Sequence, residues 1–151
     1  MKYQLKDYEH VIRDVLESGG EFQIYPRGTS MLPLLWQDRD WVTLVKPVEP
    51  PRIRDIILYQ RTDGSYVLHR IMKREKDGYV LCGDNQAWLE RGIQPEQIIG
   101  VVNAMGINGK RYLKDSIRMQ LYERIWCFMP LRKLYFRVLG HRYLKRKRKE
   151  D

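Results

Sequence analysis

The chain has 151 residues, of which 43% are hydrophobic and 31% are charged. This length and composition are typical of one globular domain with a real core, and they exclude an intrinsically disordered chain. The formal net charge is +9, and residues 114–151 contain twelve Lys or Arg against four Asp or Glu, which is +8 of that total. The basic character therefore belongs to the C-terminal tail, and so does any anionic partner that it indicates.

Helical spacing of apolar residues marks both ends of the chain. Residues 3–18 predict an amphipathic helix, which Gly19-Gly20 ends. The tail at 114–151 predicts a basic amphipathic helix, which Pro130 kinks or splits in two because proline lacks an amide proton. A basic run at 145–149 follows. No secretory signal and no stretch of 18 apolar residues is present, so no transmembrane helix is expected.

The middle of the chain predicts a mainly β domain of antiparallel hairpins. From Glu21 onward, apolar and polar residues alternate as they do in a strand with one buried face. The expected class is α+β, with an N-terminal helix (1–20), a β domain (21–113) and the helical tail (114–151). Three dipeptides supply the positive φ angles that tight hairpin turns need, namely Asp63-Gly64, Asp77-Gly78 and Asn108-Gly109.

Ser30 is the candidate nucleophile. It follows a short predicted strand in a turn where Gly28 permits unusual backbone angles. A serine hydroxyl attacks a carbonyl only when a base removes its proton, and the reaction also needs donors for the oxyanion. The Ser30 N–H is one such candidate donor. Taken alone, a serine in a turn more often satisfies nearby backbone groups.

His69 is the candidate general base. It lies in an alternating strand, 66–71, and a neutral imidazole near pH 7 can accept a serine proton and return it to a leaving amine. Lys46 and Lys73 are lower-ranked alternatives. A lone strand histidine is otherwise a surface residue, so His69 gains its meaning from the other motifs.

Several ordered motifs resemble the signal peptidase I family of membrane-associated serine endopeptidases. The strand histidine resembles the Ser-His branch of that family, and the match covers about residues 21–106. The matching residues are Phe22-Gln23-Ile24, Gly28, Ser30-Met31, Pro33 and Leu35, then Asp40-Trp41-Val42, Asp55-Ile56-Ile57-Leu58-Tyr59, His69-Arg70 and Gly83-Asp84-Asn85.

The resemblance implies a β catalytic domain of signal peptidase type that needs no metal or cofactor. It implies a carboxylate that orients His69, and an ungapped match places Glu90 there, with Asp84 as the alternative orienter or a structural residue. A plain Ser-His dyad stays open. Gly28 stands where many bacterial relatives have a hydroxyl, so Thr29 or the Ser30 N–H is expected to serve the oxyanion. A metal site built from Cys82, Asp84 and His69 is disfavoured because no second His or Cys has ligand spacing.

The expected activity is endoproteolysis of leader or signal-type precursor peptides after small residues. The basic tail favours an anionic membrane surface as its partner, with packing on the β domain as the next alternative and nucleic acid as the least favoured. Without a signal or anchor, the protein is expected in the cytoplasm, peripheral to the inner face of the membrane. Two alternatives stay open: a self-cleaving repressor-type peptidase with a Ser-Lys pair, and a non-catalytic module that binds membranes or nucleic acid.

Overall fold

The computed structural model describes residues 5–147, with side chains described as far as residue 138. The fold is mainly an antiparallel β-sheet with three α-helices, and therefore belongs to the α+β class. A short 3₁₀-helix, Pro95–Gln97, precedes β7. The elements are α1 (Leu5–Glu17), β1 (Phe22–Ile24), β2 (Trp41–Val45), β3 (Ile56–Gln60), β4 (Tyr66–Glu75), β5 (Gly78–Cys82), β6 (Glu90–Ile93), β7 (Ile98–Ile107), β8 (Lys110–Leu113), α2 (Ile117–Trp126) and α3 (Met129–Lys147).

The eight strands form one sheet in the order β1-β2-β7-β3-β4-β5-β6, and β8 pairs with β7. The ten-residue strand β7 joins the two parts of the sheet, because it pairs with β2, β3 and β8 along different stretches of its length. All of these pairings are antiparallel. Neighbouring strands β3, β4 and β5 are joined by short turns, which bring the central motifs of the sequence side by side.

Both faces of the central strands are buried. Side chains of successive strand residues point to opposite faces, and Leu58 belongs to one apolar cluster while Ile57 and Tyr59 belong to another. The first cluster also receives Ile12 and Leu16 from α1, which is the apolar side of that helix. The middle of β4, from Leu68 to Ile71, is likewise buried and includes His69.

The three predicted hairpin turns are confirmed. Asp63-Gly64 lies in the turn between β3 and β4, and Asn108-Gly109 connects β7 to β8. Asp77 lies in the turn between β4 and β5, and Gly78 is the first residue of β5. In the last turn both residues have positive φ, at 50° for Asn108 and 77° for Gly109, as a two-residue turn between twisted strands requires.

The predicted helical tail is divided in two, with the interruption between Trp126 and Met129. Pro130 lies in the first turn of α3, where its missing amide proton costs no helical hydrogen bond. The basic side chains at 145–149 and the predicted helix start at 3–4 lie outside what is described. No helix among residues 5–147 is both long and apolar enough to cross a membrane.

Candidate functional site

Ser30 lies in the loop between β1 and β2, in a turn shaped by local hydrogen bonds. Gly28 has a φ of 85°, and its N–H donates to Gln37 Oε1 at 2.9 Å. The Leu32 N–H donates to the Thr29 carbonyl at 3.2 Å, which closes the turn around Ser30. Glycine is suited to position 28 because a positive φ disfavours residues with a Cβ.

The Gly83-Asp84-Asn85 segment holds this turn in place. The Asn85 N–H donates to the Ser30 carbonyl at 2.8 Å, and its side-chain amide donates to the Thr29 carbonyl at 3.0 Å. Gly83 lies so close that a Cβ at that position would come within 2.6 Å of the Ser30 carbonyl oxygen. The segment therefore binds the backbone carbonyls on both sides of the Ser30 Cα atom, and it requires glycine at 83.

His69 lies beside this contact in the strand register. Arg70 pairs with Cys82, so the antiparallel register, continued by one residue, puts Gly83 opposite His69. The imidazole is only 2% exposed, because neighbouring strands and their apolar side chains surround it. The backbone thus joins the Ser30 turn to the Gly83 segment, and that segment follows the strand paired with the His69 strand. Met31, the residue after Ser30, packs in the cluster of Leu58, whereas His69 shares its face of the sheet with Ile57 of the other cluster.

The His69 ring faces an acidic and phenolic pair through its Nδ1 atom. Tyr59 Oη lies 3.3 Å from His69 Nδ1, and Glu90 Oε2 lies 3.9 Å from it. Tyr59 donates to Glu90 at 2.6 Å, while Arg61 donates to both Glu90 oxygens at 2.8 Å. The predicted orienter Glu90 is therefore near His69, but the shorter contact to the ring is made by Tyr59.

Burial determines the charge state of this site. Desolvation lowers the pKa of His69 to about 4 against the opposing attraction of Glu90, so the ring is neutral near pH 7. Hydrogen bonding from Arg61 lowers the pKa of Glu90 and outweighs its desolvation. Neutral imidazole is the form that can accept a proton, and ionised Glu90 can stabilise the imidazolium that results.

Asp84, the other candidate orienter, has a different environment. Its carboxylate is fully buried and accepts two hydrogen bonds from Arg70 at 2.8 Å and one from Tyr122 at 3.0 Å. The buried Arg132 guanidinium lies 3.4 Å away, and the Trp126 indole donates to the Asp84 backbone carbonyl at 2.7 Å. These partners correspond to the structural role considered for Asp84. No hydrogen bond or ion pair between Asp84 and His69 occurs within residues 5–138.

The candidate nucleophile and the candidate base are not hydrogen-bonded to each other. Within the part of the chain whose side chains are described, neither Ser30 Oγ nor His69 Nε2 makes a hydrogen bond. The Ser30 N–H also has no acceptor there, so it is available to an incoming oxyanion. Thr29 is exposed, and its hydroxyl has no hydrogen-bond partner in the same part.

The remaining candidates lie outside this arrangement. Lys46 pairs with Glu17, and Lys73 is exposed near the far end of β4. No group of three metal-ligating side chains occurs within the described residues, so Cys82, Asp84 and His69 do not form one. A cavity of about 190 Å³ is lined by Arg70 but not by Ser30 or His69, and Arg70 points to the opposite face of β4 from His69.

Sequence reasoning missed three residues that organise the site: Tyr59, Arg61 and Arg132. The Asp63-Gly64 turn could have indicated Tyr59. A hairpin centred on that turn pairs Ile57 with His69, and Tyr59, two residues after Ile57, then lies on the same face of the sheet as His69. The side chains of Arg61 and Arg132 had no comparable local pattern. Their roles depend on β6 and on α3 packing against the sheet.

No protein-family model matches this chain. Neither a curated protein nor a solved structure is significantly similar to it. The case for any function therefore depends on the geometry described above and on the motifs of the sequence.

We predict that Asp84→Asn lowers the free energy of unfolding by about 3 kcal/mol or more, because it removes the buried charge that pairs with the guanidinium groups of Arg70 and Arg132. Urea denaturation at pH 7 measures this change. Asp77→Asn, at an exposed turn position, is the control and should change stability by less than about 0.5 kcal/mol. Equal, small effects of both substitutions would contradict the structural role of Asp84.

The pH dependence of stability should report the buried His69 ring. As pH falls from the ordinary histidine pKa of 6.5 toward about 4, the unfolded chain binds a proton at residue 69 and the folded chain does not. Stability is therefore lost on acidification through this window, by at most about 3 kcal/mol from this group.

The measurement is urea denaturation of the wild type and His69→Gln between pH 7 and pH 4. The loss of stability should be shallower in the variant, whatever its stability at pH 7. His10→Gln, on an exposed position of α1, is the matched control and should follow the wild type. Parallel curves for the wild type and His69→Gln would show that burial does not suppress protonation of His69.

Proposed function

We propose that the protein is a serine endopeptidase of the signal peptidase type, with Ser30 as nucleophile and His69 as general base. One observation carries the proposal: the Ser30 turn is held against Gly83, which directly follows the strand paired with that of a buried neutral histidine, and the Nδ1 atom of this histidine faces Glu90 and Tyr59. A serine, a base and an orienting carboxylate group are the parts that covalent peptide hydrolysis requires. The sequence motifs around Ser30, His69 and Gly83 support the same reading.

The proposed reaction has two stages. Ser30 Oγ attacks the scissile carbonyl carbon while His69 Nε2 takes its proton, and the Ser30 N–H donates to the oxyanion. The C–N bond then breaks as Nε2 protonates the leaving amine, which leaves an acyl-enzyme on Ser30. A water molecule, deprotonated by the same nitrogen, hydrolyses that ester. Catalysis requires Ser30 Oγ to come within about 2.6–3.2 Å of Nε2 when substrate is bound.

The proposed substrates are leader or signal-type precursor peptides. Resemblance to the signal peptidase family supports small side chains one and three residues before the cut. The Ser-Lys alternative of self-cleaving repressors receives less support, because Lys73 is exposed and Lys46 is paired with Glu17. The buried strand histidine is the better-placed base.

We predict that Ser30→Ala and His69→Gln each reduce precursor cleavage at least about 100-fold, because one lacks the nucleophile and the other the base. The assay follows hydrolysis of a peptide with alanine one and three residues before the cut, by mass spectrometry. Ser18→Ala, at the exposed end of α1, controls for loss of a serine and should keep full activity.

Three results would decide against this proposal. Undiminished cleavage by Ser30→Ala would exclude Ser30 as the nucleophile. A wild-type protein that cleaves none of a library of small-residue peptides would favour a non-catalytic module. A purified chain that shortens itself would favour the self-cleaving class.

We also propose that α2 and α3 lie on an anionic membrane surface. Between residues 117 and 138, seven large apolar side chains are exposed, six in these helices and Phe128 between them, and basic side chains lie among them at Arg118, Arg124, Lys133 and Arg137. Apolar groups that enter the interface and cations that meet anionic headgroups are the two contributions to such binding. The apolar side chains are Ile117, Leu121, Ile125, Phe128, Leu131, Leu134 and Val138.

We predict that the Leu121→Asp, Phe128→Asp double variant binds phosphatidylserine-containing vesicles at least about tenfold more weakly, because two apolar side chains no longer enter the lipid. Sedimentation with vesicles measures the change. Val48→Asp is the control, since Val48 is 99% exposed outside these helices. Equal sedimentation of the double variant and the wild type would exclude this face, and retention by nucleic acid alone would favour the other anionic partner.

A further inference from the structure

Tyr59 is a fully buried residue whose phenol group lies between the candidate base and the candidate carboxylate. Its oxygen is 3.3 Å from His69 Nδ1 and 2.6 Å from Glu90 Oε2. The direct separation of His69 Nδ1 and Glu90 Oε2 is 3.9 Å, which is too long for a hydrogen bond. Among the described side chains, the hydrogen-bonded link between this carboxylate and the imidazole passes through Tyr59.

The number of protons on Tyr59 determines the direction of this link. A phenol has one proton, and the short contact to an ionised carboxylate takes it, because Glu90 can only accept. The phenol oxygen can then act only as an acceptor toward His69 Nδ1, through a lone pair. An attractive contact requires the proton to be on Nδ1, which leaves the lone pair of the neutral ring on Nε2.

We propose that Tyr59 is a positioning residue that holds His69 as the Nδ1-protonated tautomer and connects it to Glu90. The catalytic consequence rests on the proposed peptidase function, whereas the tautomer itself does not. A histidine fixed in this form presents an unprotonated Nε2, which is the atom that must accept the Ser30 proton. With the proton on Nε2 instead, the same ring could not act as the base in that position.

The link also stabilises the ring after it has gained a proton. When Nε2 takes the Ser30 proton, Nδ1 keeps its own and still donates to Tyr59, which still donates to Glu90. No proton moves along the link, because burial and the neighbouring Glu90 charge raise the pKa of Tyr59 far above neutrality. The proton on Nε2 passes to the leaving amine, and the neutral ring is restored.

The charged groups around His69 act in opposite directions. Glu90 and the more distant Asp84 favour a charged ring, whereas Arg61 opposes it and burial opposes it most strongly. The positive charge of Arg61 offsets much of the negative charge of Glu90. The Tyr59 hydroxyl, which is uncharged, is therefore the hydrogen-bond acceptor that lies next to the ring. This arrangement keeps His69 neutral at rest and limits the cost of its transient protonation.

Packing alone would not require the hydroxyl group. A phenylalanine at position 59 would fill the same place in the apolar cluster with Ile57 and Ile71, and only the hydrogen bonds would be lost. Tyr59→Phe is therefore a conservative test of the link. Tyr66→Phe is the matched control, because Tyr66 also donates to a carboxylate, that of Glu9, away from His69.

The first measurement is the tautomer of His69 in the full chain, from ¹⁵N chemical shifts of labelled histidine at pH 7, assigned by loss of the signal in His69→Gln. We expect an unprotonated Nε2 in the wild type and in Tyr66→Phe. In Tyr59→Phe the Nδ1 proton has no acceptor, so the Nε2-protonated form should become substantially populated. A wild-type ring protonated on Nε2, or an unchanged tautomer in folded Tyr59→Phe, would overturn the proposal.

The second measurement is peptide cleavage as a function of pH. Tyr59→Phe should lower kcat/KM by more than about tenfold, and by less than the roughly 10⁴-fold known for a histidine held wholly in the wrong tautomer. Tyr66→Phe should leave it unchanged. If the tautomer shifts as expected but the wild type cleaves no peptide, the positioning role of Tyr59 stands and the peptidase function fails. If the wild type is active and Tyr59→Phe retains full activity, the positioning role fails and the peptidase function stands.

Discussion

The buried carboxylate of Asp84 is the interaction on which the arrangement of this molecule depends. It joins Arg70 of β4 to Tyr122 of α2 and Arg132 of α3, so three distant segments meet at one charge. Isolated buried charges are too costly to retain, and the two guanidinium groups compensate this one. The residues on either side of Asp84 contact the Ser30 turn, so the network that anchors the helices also positions the candidate nucleophile.

The two acidic residues near the site, Asp84 and Glu90, differ in their surroundings and therefore in the roles that suit them. Asp84 is surrounded by hydrogen-bond donors on the Arg70 side of β4, which suits a structural charge. Glu90 begins β6 on the side of His69, where one phenol and one arginine contact it. The alternation of side chains along β4 separates these tasks, because His69 and Arg70 must point to opposite faces.

The burial of His69 affects two requirements of the general base that we propose it to be. A ring removed from water stays neutral and can accept a proton, but the charged product of that transfer is then harder to form. The Tyr59–Glu90–Arg61 cluster moderates this conflict without exposing the ring. Among the described side chains, no hydrogen bond joins Ser30 Oγ to His69 Nε2, so the proposed reaction requires these two atoms to approach when substrate is bound.

Local sequence was sufficient for the elements built from short-range interactions. Asp63-Gly64 centres a hairpin that pairs Ile57 with His69, and from that register the shared face of Tyr59 and His69 follows. Pro130 likewise belongs at the start of a helix and not in its middle, and α3 begins just before it. These outcomes depend on backbone angles and strand alternation, which neighbouring residues largely determine.

The long-range contacts could not be obtained in this way. Nothing in the sequence near Arg132 indicates that its side chain is buried against Asp84. An arginine among other basic residues of a tail is normally predicted to be exposed to solvent. The choice between Asp84 and Glu90 beside His69 was equally open, because it depends on which strand face each loop reaches. Sequence by itself thus determined the mainly antiparallel β character of the middle of the chain, its three turns, and the choice of Ser30 and His69 as candidates. Only the tertiary structure decided which charges face one another, because packing of distant segments sets the distances on which electrostatic interactions depend.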